Sequence, residues 1–364
     1  MSERHSSDET PTGTDHETQP DGGRLVDSDV FAQMSDESVA PVSGAQRLER
    51  LIDLYIYAPF RVAWSDWRTR IGGGLIVFFI LMGTVGPVVT TTPRVNEGPR
   101  YLSPFESMAF PLGTDGLGQG ILRSIIHATP AMLQIATAGV MFTAGVAVVV
   151  GVTAGYIGGT IDRVIMTFTD IVLTLPGLPL IIIIAAIMPP RDPFMVGVIV
   201  AIDAWPGLAR TLRSQVMTIR EESYVEASRA IGMPRSAIIN KEVMPQLAPY
   251  ILLNACAAAA GIIGATVGLY FLGILPFTTM NWGVMMHFAH QIGGALAAPG
   301  RAGHWLFFPA LALSSLMFGL IMFAQGMDRV FNPRIRARHA KTLSDEEGDD
   351  GESEAMTTVV NTQR

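Results

Sequence analysis

The sequence predicts an all-α integral membrane protein with six transmembrane helices. Hydrophobic residues make up 49% of the 364 residues, and the mean hydropathy of +0.36 is too high for an ordinary soluble domain. These residues form continuous runs, which exclude a transmembrane β-barrel because barrel strands alternate in polarity. A helix needs about 20 apolar residues to cross a bilayer, and six runs reach or approach that length: 71–92, 132–157, 162–187, 194–211, 248–272 and 304–327.

The distribution of basic residues predicts the orientation. If the amino terminus is cytoplasmic, 20 of the 25 Lys and Arg residues fall in cytoplasmic segments. Cytoplasmic loops of membrane proteins carry such an excess of positive charge. We therefore predict a multi-pass cell-membrane protein with both termini in the cytoplasm. The outer segments keep the other five: Arg94, Arg100, Arg123, Arg191 and Arg301.

Both ends of the chain are acidic and polar. Residues 1–46 contain 10 Asp and Glu, and residues 342–364 contain 7. Few aromatic residues accompany these charges, so we predict disordered tails that serve either as solvating extensions or as regulatory segments. Residues 47–70 mix arginine with aromatic and aliphatic residues, which is typical of a segment lying at the lipid headgroups or docking on a partner.

The first outer segment, 93–131, contains the sequence GTDGLG at 113–118. Glycine-rich loops can bind phosphate, but this one lacks the Gly-Lys-Ser/Thr ending of a nucleotide-binding loop. No such motif occurs elsewhere in the sequence, and no catalytic grouping or HExxH pattern occurs either. We predict a protein that is not an enzyme, does not itself hydrolyse ATP and carries no cofactor.

Small residues mark two of the predicted spans. The second span ends in Gly151, Gly155, Gly158 and Gly159, and the fifth contains the run 255–261, ACAAAAG. Small side chains let helices approach closely in lipid, where association depends on packing. These faces are predicted to form tight helix contacts within the subunit or across a dimer, or to line a pore. Cys256, the only cysteine, is read as a packing residue.

Two carboxylates fall within predicted spans. A carboxylate in a membrane is costly and normally faces protein or water. Asp170 is predicted to line a path or to pair with Arg163 or Arg210, and Asp203 is a similar candidate for an intramembrane polar contact.

Two histidines near the outer side are spaced by three residues. His287 and His290 could present two imidazoles to a metal ion on one helix face. No acid or cysteine nearby in the sequence completes a site, so packing or interfacial histidines are the prediction.

A polar insert at about 206–247 interrupts the apolar spans. It predicts two short helices joined at Gly232, which can end the first by taking a left-handed backbone, while Pro234 suits the first turn of the second. Pro245 is predicted to stop the second helix. Glu226 and Arg229 are spaced to form an ion pair. The cytoplasmic part, about 212–247, is predicted to press against a partner.

These motifs together resemble the permeases of ABC importers. Glu226-Ala227-Ser228, Gly232 and Pro245 match the spacing of the family's EAA loop, although Ser228, Glu242 and Met244 replace its usual residues. Further segments resemble the dipeptide/oligopeptide/nickel branch, in the C-type member of the permease pair. They are GTDGLG (113–118), AGYIGG (154–159) with Asp162, Met166, Asp170 and Pro176, then Trp205, Arg210, Arg213, Tyr224-Val225, FLG (271–273) and Trp282-Gly283.

The resemblance implies a type I ABC importer permease fold over residues 71–335. It also implies a heterodimer with a second homologous permease, two cytoplasmic ATP-binding subunits and an external solute-binding protein. The ATPase-coupling residues would be Glu226, Ala227, Ser228, Gly232 and Pro245. The expected cargo is dipeptides or oligopeptides.

Three alternatives remain open at this point. The same machinery could import nickel or another small solute. A self-sufficient secondary transporter would need no ATPase, but the sequence shows no convincing inverted repeat and few intramembrane charges. A membrane-anchored enzyme would need a catalytic constellation, which the sequence does not provide.

Overall fold

The computed structural model describes residues 66–331, which form a bundle of helices without a named strand in that range. Twelve α-helices follow one another: α1 Trp67–Thr84, α2 Gly86–Val89, α3 Ile121–Ile157, α4 Gly159–Thr174, α5 Gly177–Ile187, α6 Pro193–Val200, α7 Trp205–Ile219, α8 Ser223–Ala230, α9 Arg235–Ile238, α10 Met244–Phe271, α11 Trp282–Gln291 and α12 Pro299–Phe331. The predicted acidic tails and most of the predicted interfacial segment lie outside the described residues.

Three continuous helices are long and apolar enough to cross a membrane. They are α3, the stretch Arg235–Phe271 that contains α9 and α10, and Pro299–Asp328 of α12. Two bent pairs reach the required length together: α4 with α5, bent by 88°, and α6 with α7, bent by 62°. These five overlap the second to sixth predicted spans, and the described residues are helical with three to five helices or helix pairs that could cross a membrane.

The first predicted span, 71–92, falls on α1 and α2. Helix α1 has 18 residues and begins with Asp66 as its cap, whose side chain accepts the Arg68 amide. Two arginines in its first turn, Arg68 and Arg70, lower its mean hydropathy. Helix α1 is therefore not one of the helices named above.

Helix α3 is the central element, because α6, α7 and α10 all pack along it. A Cβ on Gly151 would lie 2.5 Å from the carbonyl oxygen of Ala209, and one on Gly155 would lie 2.7 Å from that of Arg213. The predicted close contacts of these two glycines are therefore confirmed, and they are made within the subunit, against α7. Gly158 and Gly159 instead take positive φ at the corner between α3 and α4.

Two clusters of buried apolar residues fill the bundle. The larger one joins α3, α6, α10, α11 and α12, and Trp282 at its centre is fully buried. The smaller one joins the last third of α3 to α7 and to the segment after α7. The second cluster determines where the polar insert sits.

The GTDGLG loop, which precedes α3, folds around its aspartate. One carboxylate oxygen of Asp115 accepts the backbone N–H groups of Leu117 and Gln119, each at 2.8 Å. Burial raises the pKa of Asp115 above 3.8, although these backbone hydrogen bonds oppose the rise. The loop is also tied to α12 through His304, whose ring nitrogen lies 3.0 Å from the carbonyl oxygen of Thr114.

The two histidines of α11 do not converge on a common ligand position. The His287 ring bonds to the carbonyl oxygen of Phe271 at 2.9 Å, while the His290 ring packs against the Phe271 ring. Among residues 66–331, no group of three His, Cys, Asp or Glu could hold a metal ion. Both histidines therefore act as packing residues here.

Candidate functional site

The polar insert forms an elbow, which we define as residues 220–247. Helix α8 ends at Ala230 and is closed by Gly232, whose φ is +82°. Gly232 donates its N–H to the carbonyl of Arg229 at 3.0 Å, and Met233 donates to that of Ser228 at 3.1 Å. This pair of bonds is the Schellman arrangement, in which a left-handed glycine closes a helix. The predicted role of Gly232 is confirmed, and Pro234 lies one residue before α9 as its cap.

The prediction for Pro245 is wrong. The second arm of the elbow does not stop there but continues from Arg235 to Phe271. A π-helical turn, Ile239–Val243, joins α9 to α10, and Pro245 lies in the first turn of α10. A proline is tolerated there because the hydrogen-bond register changes just before it and few intrahelical donors are lost. The second arm of the elbow is thus a continuous extension of α10.

The inner face of the elbow is anchored in the smaller apolar cluster. Val225, Ile238, Val243 and Leu247 are at most 1% exposed and pack with residues of α3 and α7. Their burial ties both arms of the elbow to the ends of two membrane helices. Because packed interiors deform little, the elbow, α3 and α7 share one close-packed contact.

The outer face of the elbow is exposed and carries the EAA residues. Glu226 and Ala227 are exposed, Ser228 is half-buried, and Ile231 is 78% exposed. The small side chains of Ala227 and Ser228 leave room for close approach by another surface. The elbow therefore presents a shallow exposed surface on the side predicted to be cytoplasmic.

The predicted ion pair between Glu226 and Arg229 does not form. The guanidinium of Arg229 instead lies 5.4 Å from the ring centre of Tyr156, at the end of α3. Within the described range, the Glu226 carboxylate makes no hydrogen bond or ion pair. A cation over an aromatic face is a favourable contact, and it directs Arg229 inward. Glu226 stays available to a partner.

A cavity of about 570 Å³ lies between the elbow and the end of α3. Arg220, Arg229 and Arg235 line it, together with Glu221 and Tyr156. Arg220 donates to the carbonyl oxygen of Gly155 at 2.9 Å and so pins the start of the elbow to α3. Sequence reasoning missed this contact and that of Tyr156. The signal available for Arg220 was a basic residue at the boundary between an apolar span and the elbow.

Two ion pairs connect α4 to α7. Arg213 forms a bidentate pair with Asp162, in which its Nη2 lies 2.6 Å from Oδ2. Arg210 pairs with Asp170, and it is one of the two arginines predicted as partners of that carboxylate. Planar guanidinium–carboxylate pairs of this kind fix geometry well. Helix α4 has only one buried residue, Thr169, and it meets α7 through these two ion pairs and the stacked rings of Phe168 and Trp205.

Asp203 lies apart from the elbow. It occupies the break between α6 and α7, is half-buried, and lies against Gly177 at the start of α5. Its carboxylate has no hydrogen-bonding or ionic partner among residues 66–331. The structure therefore brings Glu226, Ala227, Ser228 and Gly232 onto one surface, and it places Asp203 elsewhere.

Comparison with known proteins gives one family and several relatives. Residues 147–337 match the family described as the binding-protein-dependent transport system inner membrane component. The oligopeptide transport system permease protein OppC of Lactococcus lactis is 31% identical over 67% of this chain and 82% of its own length. The dipeptide transport system permease protein DppC of Bacillus subtilis is 28% identical over 72% and 80%. The glutathione transport system permease protein GsiD of Pectobacterium atrosepticum is 28% identical over 67% and 77%.

Proposed function

Because the chain belongs to the family of inner membrane components of binding-protein-dependent transport systems, we propose that it is a permease subunit of an ATP-driven peptide importer. Its cargo would be dipeptides or oligopeptides. The relatives above are named for oligopeptides, dipeptides and glutathione, which favours peptides over the alternative of nickel. Membership of this family also argues against a stand-alone secondary transporter.

The proposed assembly has five parts. This chain pairs with a second homologous permease, two ATP-binding subunits dock in the cytoplasm, and a solute-binding protein delivers peptide from outside. The chain crosses the membrane six times, with α1 as the first span and both termini in the cytoplasm. The excess of basic residues on the elbow side supports this orientation. ATP hydrolysis is assigned to the separate subunits because the sequence has no nucleotide-binding loop.

The anchored elbow is the observation that supports coupling. Its outer face, with Glu226 and Ala227, is free to enter a cleft on the ATPase. Its inner face is buried against α3 and α7, and its second arm continues directly into α10. Movement of the ATPase on binding nucleotide would therefore move three helices of the bundle together. The proposed coupling residues are Glu226, Ala227, Ser228, Gly232 and Pro245.

A bulky substitution on the outer face tests this assignment. Ala227→Trp adds a large side chain where solvent now lies, so the subunit itself should fold and insert normally. In a close-packed interface the same side chain costs about 2 kcal/mol, which is a roughly 30-fold loss of affinity. The measurement is the dissociation constant between the purified permease pair and the ATPase subunits, together with the ATPase rate of the assembled complex.

Ala298→Trp is the matched control. Ala298 is also exposed, but it lies between α11 and α12 on the predicted outer side. This variant should bind the ATPase like the wild type. Equal ATPase affinity for the Ala227 variant and the wild type would exclude the elbow as the docking surface.

A further inference from the structure

Asp203 lies at a break within a predicted span. Helix α6, about 12 Å long with its eight residues, ends just before the break that contains Asp203. Helix α5, about 16 Å long with its 11 residues, begins at Gly177, at the break after α4. Each of these helices is about half as long as the roughly 30 Å hydrocarbon core. The bends are sharp, 88° between α4 and α5 and 62° between α6 and α7, so both breaks interrupt the predicted spans.

The two helix breaks meet at the Asp203 side chain. A Cβ on Gly177 would clash with the Asp203 carboxylate in this rotamer, so the side chain lies directly against the Gly177 backbone. Gly177 is the first residue of α5, whose free amino-terminal N–H groups favour a negative charge. Helix α6 ends at Val200, three residues before Asp203, and the carboxyl end of a helix favours a positive charge. The junction is thus suited to a carboxylate that holds a cation.

The face of α7 that continues from Asp203 is polar where it is exposed. Its buried residues are mostly apolar, whereas Gly207, Arg210, Ser214 and Thr218 are exposed. Arg210 and its partner Asp170 have side chains that are 54% and 57% exposed. A polar, charged stripe is costly against lipid, and charged groups in spans normally face a water-filled cavity. We infer that this stripe lines the translocation path.

We propose that Asp203 binds the α-ammonium group of a peptide as the peptide passes the junction of the two helix breaks. This inference rests on the proposed function, since it names the group by which that substrate is recognised within the membrane. In the described part of the chain, no cation pairs with Asp203, so the position is open to one supplied by the cargo. In secondary transporters, the ends of broken helices form the sites of ions and charged substrates.

Replacement of the charge at constant shape tests the proposal. The complete complex with its ATPase and binding protein is reconstituted in vesicles, and ATP-driven uptake of trialanine is measured for wild type and Asp203→Asn. At pH 6.5 the peptide amino group is protonated, and loss of a hydrogen bond to this charged group should lower the uptake rate of Asp203→Asn about tenfold relative to the wild type. Because the α-amino group has a pKa of about 8, the ratio of the two rates should fall toward one by about pH 9.5.

The ratio removes pH effects that the two proteins share, including those of Arg210 and Asp170. Asp192→Asn is the matched control, because Asp192 is exposed, caps α6 at the Met195 amide, and can be replaced there by asparagine without loss of the cap. Its ratio to wild type should be near one at every pH. A second peptide, Ala-Lys-Ala, separates the two possible cations, since a ratio that persists to about pH 10 assigns the lysine side chain rather than the α-ammonium.

A ratio for trialanine that stays at one, or that stays at ten across the whole pH range, would overturn the proposal. The first result means that Asp203 contacts no cation, and the second means that it acts only on the structure of the junction. Amounts of assembled complex are quantified in each vesicle preparation, so a folding defect is detected separately. If the wild-type complex imports no peptide on ATP at all, the proposed function fails before this inference is reached.

Discussion

Substitution of Gly232 by alanine should weaken the elbow without any steric clash. The residue has φ of +82°, and a Cβ built there meets no atom within 4 Å. The whole effect is therefore the cost of the left-handed backbone, about 1–2 kcal/mol for a residue with a Cβ. This corresponds to a roughly 5- to 30-fold increase in local opening. Gly232→Asn should cost less, because asparagine tolerates this conformation better than alanine does.

Hydrogen exchange measures this opening directly. The two amides that close α8 belong to Gly232 and Met233, and they bond to the carbonyls of Arg229 and Ser228. Their exchange, read from peptides covering 228–234, should quicken in the order wild type, Gly232→Asn, Gly232→Ala. Peptides from the middle of α3 should exchange as in the wild type, because their hydrogen bonds do not depend on the elbow.

The reasoning would be refuted if the alanine variant kept wild-type protection across 228–234. It would also be refuted if the alanine and asparagine variants had equal effects. The backbone argument requires a difference, because asparagine adopts the left-handed conformation more readily than alanine does. Transport by the assembled complex should fall in the same order, because a looser elbow transmits less of the movement of the ATPase.

Two further predictions concern close packing and the outer loop. Gly155→Ala should lower the melting temperature of the purified subunit, because the new Cβ would lie 2.7 Å from the carbonyl oxygen of Arg213 and overpacking costs about 1–3 kcal/mol. Gly145→Ala, on the same helix, should not lower the melting temperature, because no atom lies within 4 Å of the added Cβ. Asp115→Ala should speed exchange of amides 113–119 about tenfold, whereas Asp115→Asn keeps an acceptor. The pKa of Asp115 is raised, so the folded loop binds the carboxyl proton more tightly than the unfolded chain does. Protection of the wild-type loop amides, corrected for intrinsic exchange, should therefore decline as pH rises from about 3.8. The protection of the same amides in Asp115→Asn should not decline. Equal melting temperatures for the two glycine variants, or the same pH dependence in Asp115→Asn, would contradict these expectations.

Local patterns in the sequence were sufficient to predict the elements that depend on them. Long apolar runs predicted α3, α10 and α12, and a glycine followed by proline predicted the corner of the elbow at Gly232. Each of these features is decided by residues within one or two helical turns. The prediction of five of the six spans follows from the same local information.

Features that depend on tertiary contacts were missed. Pro245 looks like a helix stop in the sequence, but the π-turn before it and the burial of Val243 and Leu247 keep the helix continuous. Arg229 was expected to pair with Glu226 three residues away, yet it lies over Tyr156 from a distant helix. The meeting of Asp203 with Gly177 likewise joins two breaks that are 26 positions apart. Sequence spacing contains no information about such pairs.

The most direct test of the account is uptake of labelled peptide into vesicles with and without the ATPase subunits. The permease pair and binding protein alone should move no peptide against a gradient, and adding the ATPase with ATP should start accumulation. Ala227→Trp should abolish that accumulation while Ala298→Trp preserves it. Peptide accumulation by the permease without an ATPase, or full activity of the Ala227 variant, would contradict the claim that the elbow couples this subunit to ATP.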